Sequence, residues 1–474
     1  MSRRPFVLAA SGVALAVLAS AAAAQSALPL TRTAQRPFGT LREQAALQQQ
    51  WLEQRLTTTL PTLMRKHGVA MWVLPMREYN EDPVFWSITS ATTMAARRRT
   101  VYVAYDPCNA ADAPRPCTRP LELLALGGTS QGGVWTAMRS TLAAPGDIRG
   151  QQRELWGDAQ WELLKRVIAE RNPKNIAINM SRTWAFADGL SSGEYEGMSA
   201  ILGPEWTTRF VRAEGLAVDF IATRLPGEEA FYGELQDLVW QLIGRMFSSE
   251  VITPGQTRVA DVLWWWRQQV NDLGLGTWFQ PSVSVQRQGV AMNDLGDDTV
   301  IQPGDVLWCD VGITALRLNT DTQHNAYVLK PGETDAPAGL KAALKRANRM
   351  QDILFEEIRP GRTGNEVLAS VLAKAKAEGL DGTMYSHPIG MHGHGAGPLI
   401  GLWDYQDGVP GRGDHPVLAS MWFSSELQVT TPVPEWGGQR VRIAQEEDFV
   451  VGADGKPRWA KGRQDSFWLI GGGR

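Results

Sequence analysis

Asp310 and Asp321 lie eleven residues apart in DVLWCDVGITALRLNTD, the stretch from Asp305 to Asp321. Asp310 interrupts an apolar run that reads as a strand, and a turn separates it from Asp321. A buried carboxylate with no partner is costly, so it must lose its charge, find a counter-charge or bind a metal. Val306, Trp308, Asp310 and Gly312 share one strand face by alternation. With a turn centred on Ala315-Leu316, Asp310 and Asp321 are expected to stand opposite each other on that face. Two facing carboxylates raise each other's pKa. A divalent cation between them removes the repulsion.

A second set of such residues follows. MWFSSELQVTTPV places Glu426 in a strand-like run, and VRIAQEEDFVV places Glu446 and Glu447 in another. Between the two sets lies SHPIGMHGHGAGP, with His387, His392 and His394. A lone strand Asp usually marks an edge or a turn, and a lone His on an apolar stretch is usually a satisfied core residue. The order Asp, Asp, His, Glu, Glu on strand-like segments is what argues for a metal. Four carboxylates and one imidazole suit two hard or borderline divalent ions bridged by carboxylates.

The elements that must position these residues fall into two regions. Residues 40–66 read as a helix. The short apolar runs VAMWVLP, TVYVAYD, LELLALGG and NIAINMS follow, with helical stretches near 151–171 and 187–202. This is an α/β pattern. It ends near IATRLPGEEAF, where a Pro-Gly pair precedes a long amphipathic stretch, so the boundary is placed near residue 224. The second region carries a weak internal repeat. ITPGQTRVADVLWWW from Ile252 resembles IRPGRTGNEVLASVL from Ile358 at an offset of 106 residues, and Gly276-Thr277 recurs as Gly382-Thr383. Each unit is a Pro-Gly turn followed by a helix capped by Thr257 or Thr363, and Thr363 with Glu366 reads as a capping box. The Trp-rich LWWWRQQV reads as core packing with an interface contact, and the RGD at 412–414 as a chance tripeptide in a loop.

The carboxylate and histidine pattern resembles the pita-bread (M24-type) metallopeptidases: methionine aminopeptidase, Xaa-Pro aminopeptidase and prolidase, with creatinase as a metal-free cousin. The resemblance covers roughly residues 225–474, and the preceding region is similar to the creatinase-type N-terminal domain. With a signal peptide read at 1–24 from the N-terminal residues, it implies an α/β domain at 25–224 and an α+β pita-bread catalytic domain at 225–474 with a pseudo-twofold repeat. DVLWCDVG matches the family's GDLVLxDxG strand, which makes Asp310 and Asp321 the first two metal ligands. HPIGMHGH fits a ligand His, a Gly three later and a second His seven later. That implies His387 as ligand and His394 as the substrate-facing histidine. A rival alignment on GHGAG makes His394 the ligand. Glu426 matches the fourth ligand. RIAQEEDFVVGADG resembles IRIEEDVVVTDSG, implying Glu446 as the fifth ligand with Glu447 as the alternative.

The resemblance implies two divalent ions (Mn, Zn, Co or Fe) that share a water and lower its pKa, so that a bridging hydroxide is available near neutral pH. It further implies hydrolysis of N-terminal Xaa-Pro bonds, of the aminopeptidase P or prolidase type. Glu426 would take the water's proton and deliver it to the leaving nitrogen. The implied partners are a peptide with proline at its second position and further copies of the chain, as a dimer or tetramer. Two departures stand out. The family histidine upstream of the first Asp is missing, and the window SVQRQGVAMN offers Gln286, Arg287 and Gln288 instead, with His392 as another candidate donor. His324 replaces an Arg often found after the second Asp. Alternatives of other kinds are a hydrolase of the same fold acting on a non-peptide amide or ester, and a peptide-binding protein without catalysis.

The 474 residues carry a formal net charge of -3, which gives no reason to expect nucleic acid. MSRRPFVLAASGVALAVLASAAAAQS has a basic start, a short apolar run and an Ala-Ala-Ala before Gln25, the pattern of a signal peptide, and SRRPFV resembles a twin-arginine signal. An exported, periplasmic or secreted protein is expected, with no membrane contact once the signal is cleaved. In that compartment Cys108 and Cys117, in the loop CNAADAPRPC, are expected to pair. Cys309 is expected in the core.

Overall fold

The computed structural model describes residues 36–471 apart from 110–112, 114–115, 140–156 and 292–293. The signal peptide expected at 1–24 lies outside the described residues. Among the described residues no helix is long and apolar enough to cross a membrane.

The first region opens on the expected helix, in three stretches: Leu41–Gln54, a π-helical turn Arg55–Thr59, and Leu60–Lys66. Thr40 caps it with Glu43 as a capping box. A six-stranded mixed sheet follows, built from β1 (Met71–Met76), β2 (Thr100–Tyr105), β3 (Glu122–Leu126), β4 (Thr136–Met138), β5 (Ile176–Ile178) and β6 (Phe210–Arg212) in the order β4-β3-β2-β1-β5-β6. Along β1, Trp72, Leu74 and Met76 enter one core and Met71 and Val73 another. Burial of both faces is why these strands read as unbroken apolar runs. The three-residue strands β4 and β6 are too short to stand out in the sequence. The helices expected near 151–171 and 187–202 appear as Asp158–Arg171 and Ser192–Leu202. Cys108 and Cys117 form a disulfide, and Cys309 is buried.

The second region holds β7 (Ser282–Gln286), β8 (Val306–Val311), β9 (Thr314–Ala315), β10 (Leu318–Asn319), β11 (Thr322–Val328), β12 (Asp381–Pro388), β13 (Met421–Val433), β14 (Gln439–Gln445), β15 (Asp448–Val451), β16 (Pro457–Trp459) and β17 (Trp468–Ile470). One large sheet runs β17-β11-β8-β7, the other runs β12-β13-β15-β16 with β14 also paired to β13, and β9 and β10 form a separate two-stranded sheet. The two large sheets meet where Gln323 and Glu446 exchange backbone hydrogen bonds of 3.0 and 3.2 Å. The repeat is visible as the same order in each half: a long helix (Pro226–Met246, Ala338–Glu357), a second helix (Val259–Asp272, Gly364–Ala377), then strands. The architecture is the mixed α/β, pita-bread arrangement that the sequence implies.

Three local expectations are corrected. Thr257 does not cap the first repeat helix: Arg258 is the N-cap, its N–H donates to Asp261, and the Thr257 hydroxyl accepts from Thr253 N instead. Thr363 and Glu366 do form the expected capping box.

The hairpin register also differs. Asp310 pairs with Gln323 and Val311 with Thr322, so Asp321 is a diagonal neighbour of Asp310 rather than its direct partner. The turn sits on Leu316 and Arg317, both at positive φ (49° and 65°), one residue later than expected. Two successive left-handed residues match the twist of a tight hairpin, a conformation that Leu and Arg do not advertise. Moving the centre by one residue shifts the pairing by two, so both carboxylates stay on one face.

The run around Glu446 is interrupted, too. β14 and β15 pair with β13 in one register, Leu427 with Gln445 and Ser424 with Asp448, but the ladder breaks at Glu446 and Glu447. There the backbone of Glu446 turns to Gln323 of the other sheet.

Candidate metal centre

The seam between the two sheets collects side chains from five strand segments. β8 supplies Asp310; Asp321 immediately precedes β11. β12 supplies His387, opposite Ser424 of β13, and Tyr385 lies opposite Glu426. Glu446 follows β14, and the shared register places it across from Glu426. Alternation then turns Asp310, His387, Glu426 and Glu446 into one space.

The clustered atoms fall into overlapping groups. One ligand atom each of Asp310, Asp321 and Glu446 lie within 4.8 Å of one another. So do those of His387, Glu426 and Glu446, and those of Asp321, His387 and His394. Asp321, His387 and Glu446 are each common to two groups, so the groups overlap in one cluster. The placement of Glu446 is held on both oxygens: Ser424 Oγ donates to Oε1 at 2.6 Å and Gln323 Nε2 to Oε2 at 2.7 Å. Gln323 Nε2 also donates to Glu426 Oε1 at 3.0 Å.

His387 is fully buried, and its Nδ1 lies 3.0 Å from Pro388 O. A carbonyl can only accept, so Nδ1 carries the proton and Nε2 presents a lone pair. That Nε2 lies 3.3 Å from Glu446 Oε1 and 3.6 Å from Asp321 Oδ2. His387 Nε2, Asp310 Oδ1 and Asp321 Oδ1 are buried without a hydrogen-bond partner among the described residues. Burial drives the carboxyls of Asp310, Asp321 and Glu426 well above their ordinary pKa, and the Glu446 charge adds to it. Unpartnered acceptors, crowded carboxylates and one oriented imidazole fit divalent cations of the hard or borderline kind.

The alternative candidates differ in their surroundings. Glu447 points away from the cluster, to His324 Nε2 at 2.8 Å. Trp468 Nε1 donates to His324 Nδ1 at 3.1 Å, which leaves Nε2–H to donate to Glu447. His324 is thus a buried partner of Glu447. His394 is exposed and belongs to the group with Asp321 and His387, its ring 4.7 Å from that of His387 and 5.0 Å from that of Trp278. His392 lies outside the three groups and packs on Phe186 with ring centroids 4.9 Å apart.

The candidates for the missing upstream histidine are committed elsewhere. Gln286 exchanges two hydrogen bonds with the Arg442 backbone. Arg287 holds Asp305 bidentately at 2.7 and 2.8 Å, and Gln288 donates to Glu435 O. Sequence reasoning missed Tyr385, whose ring lies 5.1 Å from His387 and 5.5 Å from His394. Burial, with Glu426 next, raises its phenol pKa, so it stays a donor. It also missed Gln323 and Ser424. Their cue was available: each lies two residues from a carboxylate, Asp321 or Glu426, and so shares its face. A 320 Å³ cavity opens beside Glu426, lined by Trp308, Tyr385, Trp403 and Arg442 among others.

Residues 241–453 match the sequence model of metallopeptidase family M24. This segment is an M24 metallopeptidase domain. The M24 domain contains all six clustered residues, Asp310, Asp321, His387, His394, Glu426 and Glu446. No curated protein matches the chain. Solved structures do. An X-Pro aminopeptidase from Thermotoga maritima MSB8 is 16% identical with a TM-score of 0.57, over 86% of this chain and 100% of that one. A dipeptidase from Pyrococcus horikoshii OT3 is 16% identical with a TM-score of 0.55, over 88% and 99%. An Xaa-Pro dipeptidase from Bacillus anthracis is 15% identical with a TM-score of 0.54, over 89% and 99%. At these identities the likeness establishes the fold, and it extends past the M24 domain into the N-terminal α/β region.

Proposed function

We propose that the chain is a dinuclear metallopeptidase that cleaves N-terminal Xaa-Pro bonds, with Asp310, Asp321, His387, Glu426 and Glu446 as metal ligands. The observation that carries this reading is the overlap of the potential ligand groups, which share Asp321, His387 and Glu446. Two of the solved structures with this fold bear Xaa-Pro peptidase names. Bound in this cluster, divalent ions supply a water of lowered pKa and polarise a carbonyl.

The chain's own residues account for the rest. Glu426, on the cavity wall, takes a proton from the attacking water and returns it to the leaving nitrogen. A proline nitrogen in a peptide bond has no hydrogen, so this delivery is what frees it. His394, exposed beside His387, donates to the substrate carbonyl as charge develops on its oxygen. Tyr385 is placed between Glu426 and His394 to do the same. Trp308, Tyr385 and Trp403 give the cavity aromatic walls for a pyrrolidine ring.

We further infer export. The leader-like segment at 1–24 supports it, and so does the Cys108–Cys117 disulfide, a bond that persists in oxidising compartments. The deciding assay strips the metal and restores Mn, Zn, Co or Fe singly. Each form is tested on Xaa-Pro dipeptides, longer Xaa-Pro peptides, matched Xaa-Ala peptides and a non-peptide amide. Metal-dependent turnover confined to Xaa-Pro bonds is expected. Turnover of the non-peptide amide alone, or of nothing, sinks the proposal.

A further inference from the structure

Among the described residues, the wall of the 320 Å³ cavity beside Glu426 carries one cation, Arg442. Its one carboxylate is Glu426 itself, which the proposed metal centre already uses. Register and alternation show where Arg442 points. Gln428 pairs with Ala444 and Thr430 with Arg442, so Glu426 and Gln428 of β13 share a face with Ala444 and Arg442 of β14. All four line the cavity. The backbone of Arg442 is fixed from outside the hairpin: its N–H donates to Gln286 Oε1 at 2.9 Å, and its carbonyl accepts from Gln286 Nε2 at 2.7 Å.

The guanidinium has no partner. Arg442 is half-buried, and among the described residues no acceptor takes a hydrogen bond from its side chain and no carboxylate pairs with it. None of its nitrogens is among the sealed polar atoms that lack a partner, so they open to solvent. What the group does meet is a ring: its carbon lies 6.0 Å from the centroid of Trp308, another wall residue. A ring face offsets part of a positive charge but leaves the in-plane donors unused. A guanidinium stays charged, offers five N–H donors and accepts nothing, so a partly desolvated one on a cavity wall calls for an anion.

The position of Arg442 says which anion. Gln323 Nε2 donates to Glu426 Oε1 at 3.0 Å, Trp308 Nε1 donates to Gln323 Oε1 at 3.1 Å, and Arg442 lies over the Trp308 ring. The order outward from the metal cluster is therefore Glu426, Gln323, Trp308, Arg442. Thr430, the partner of Arg442, is four residues along β13 from Glu426, a span of about 13 Å. A peptide advances about 3.5 Å per residue. With the scissile bond at Glu426 and the pyrrolidine ring on Trp308, the proline's own carboxyl falls short, and the residue after it comes within reach of an arginine leaning inward. A cation at this end also repels the substrate's free amine, so this end takes the leaving side.

We propose that Arg442 binds a carboxylate on the residue that follows the substrate's proline, supplied by an Asp or Glu side chain or by the C-terminus of a tripeptide. This rests on the Xaa-Pro peptidase reading and adds to it the chemical class of the leaving fragment. Arg442 is then a specificity residue and takes no part in moving protons.

The test uses the full metal-loaded protein and compares kcat/KM within matched pairs: Ala-Pro-Glu amide with Ala-Pro-Gln amide, Ala-Pro-Gly with its amide, and Ala-Pro with its amide. The first pair reads a side-chain carboxylate, the second a C-terminus one residue past proline, the third the proline carboxyl. At least one of the first two pairs should favour the carboxylate by about tenfold or more. Arg442→Met, unbranched and uncharged, should erase that ratio, and Arg442→Glu should turn the preference towards Ala-Pro-Lys amide. A ratio that persists in Arg442→Met, or no ratio in the unaltered protein, overturns the proposal while the Xaa-Pro reading stands. An Arg442-dependent gain confined to the third pair overturns it too, by moving the contact onto the proline. Calorimetry with the leaving fragments Pro-Glu amide and Pro-Gln amide reads the same preference without turnover. If no Xaa-Pro bond is cut, the peptidase reading fails on its own; tighter binding of Pro-Glu amide that is lost in Arg442→Met still supports the Arg442 contact, and equal binding of the two fragments overturns it.

Discussion

His387 Nε2 lies 3.3 Å from Glu446 Oε1, with the opposite nitrogen of the ring tied to Pro388 O. The ring thus has one orientation and one tautomer, and its lone pair faces carboxylates. His394 has exposure and ring neighbours instead. His387→Ala should therefore empty a metal position, read by elemental analysis. His394→Ala should keep the metal and lower kcat/KM by about 2–4 kcal/mol, the scale of one lost oxyanion donor. Metal lost from His394→Ala and kept in His387→Ala would reverse the two roles.

Asp310 and Glu426 should also part company. Asp310→Ala removes a buried carboxylate whose Oδ1 has no other partner, and metal content should fall. Glu426→Gln preserves shape and an oxygen, so metal is partly retained. Turnover should fall by at least about 100-fold, the scale of a lost general base. Normal turnover by Glu426→Gln would remove it from the proton path.

The metal-free protein should have an inverted pH response. Burial and the Glu446 charge raise the folded-state pKa of Asp310, Asp321 and Glu426. Between the unfolded pKa of about 4 and those raised values, the folded state binds more protons than the unfolded one. This contribution to stability is whole below the unfolded pKa and is lost as pH rises through the folded ones. Chelated protein should melt at lower temperature as pH goes from about 5 to about 8, and restored metal should flatten the trend by binding the native state alone. A chelated protein whose Tm climbs over that range would contradict the crowded cluster.

Gln323 tests whether hydrogen bonding outside the ligand set matters. Its amide holds Glu426 at 3.0 Å and Glu446 at 2.7 Å. Gln323→Leu keeps the bulk and deletes both bonds. Metal affinity should weaken by about 10–100-fold, the usual cost of losing an orienting partner. Competition with a metal-binding dye measures it; an unchanged affinity would make the bonds incidental.

Much of this was legible in the chain itself. The face shared by Asp310 and Asp321 survives a misplaced turn, because strand parity depends only on an even shift. β13 ends where its apolar alternation ends, at Met421 and Val433, and the disulfide pair and the Thr363 cap follow from short-range chemistry. Tertiary structure decided what depends on partners distant in sequence. Nothing local distinguishes Glu446 from Glu447; Gln323 draws the backbone of the first into the seam, and His324 claims the side chain of the second. Nothing local shows that Gln286, Arg287 and Gln288 are spent on Arg442, Asp305 and Glu435, up to 156 residues away. The pairing of Asp310 with Gln323 likewise rests on Leu316 and Arg317 at positive φ, where the Arg317 guanidinium is held by the carbonyls of Trp86, Thr89 and Ser90. Periodicity and spacing are written along the chain, whereas the choice among chemically similar neighbours is made by contacts that exist only once the two sheets have met.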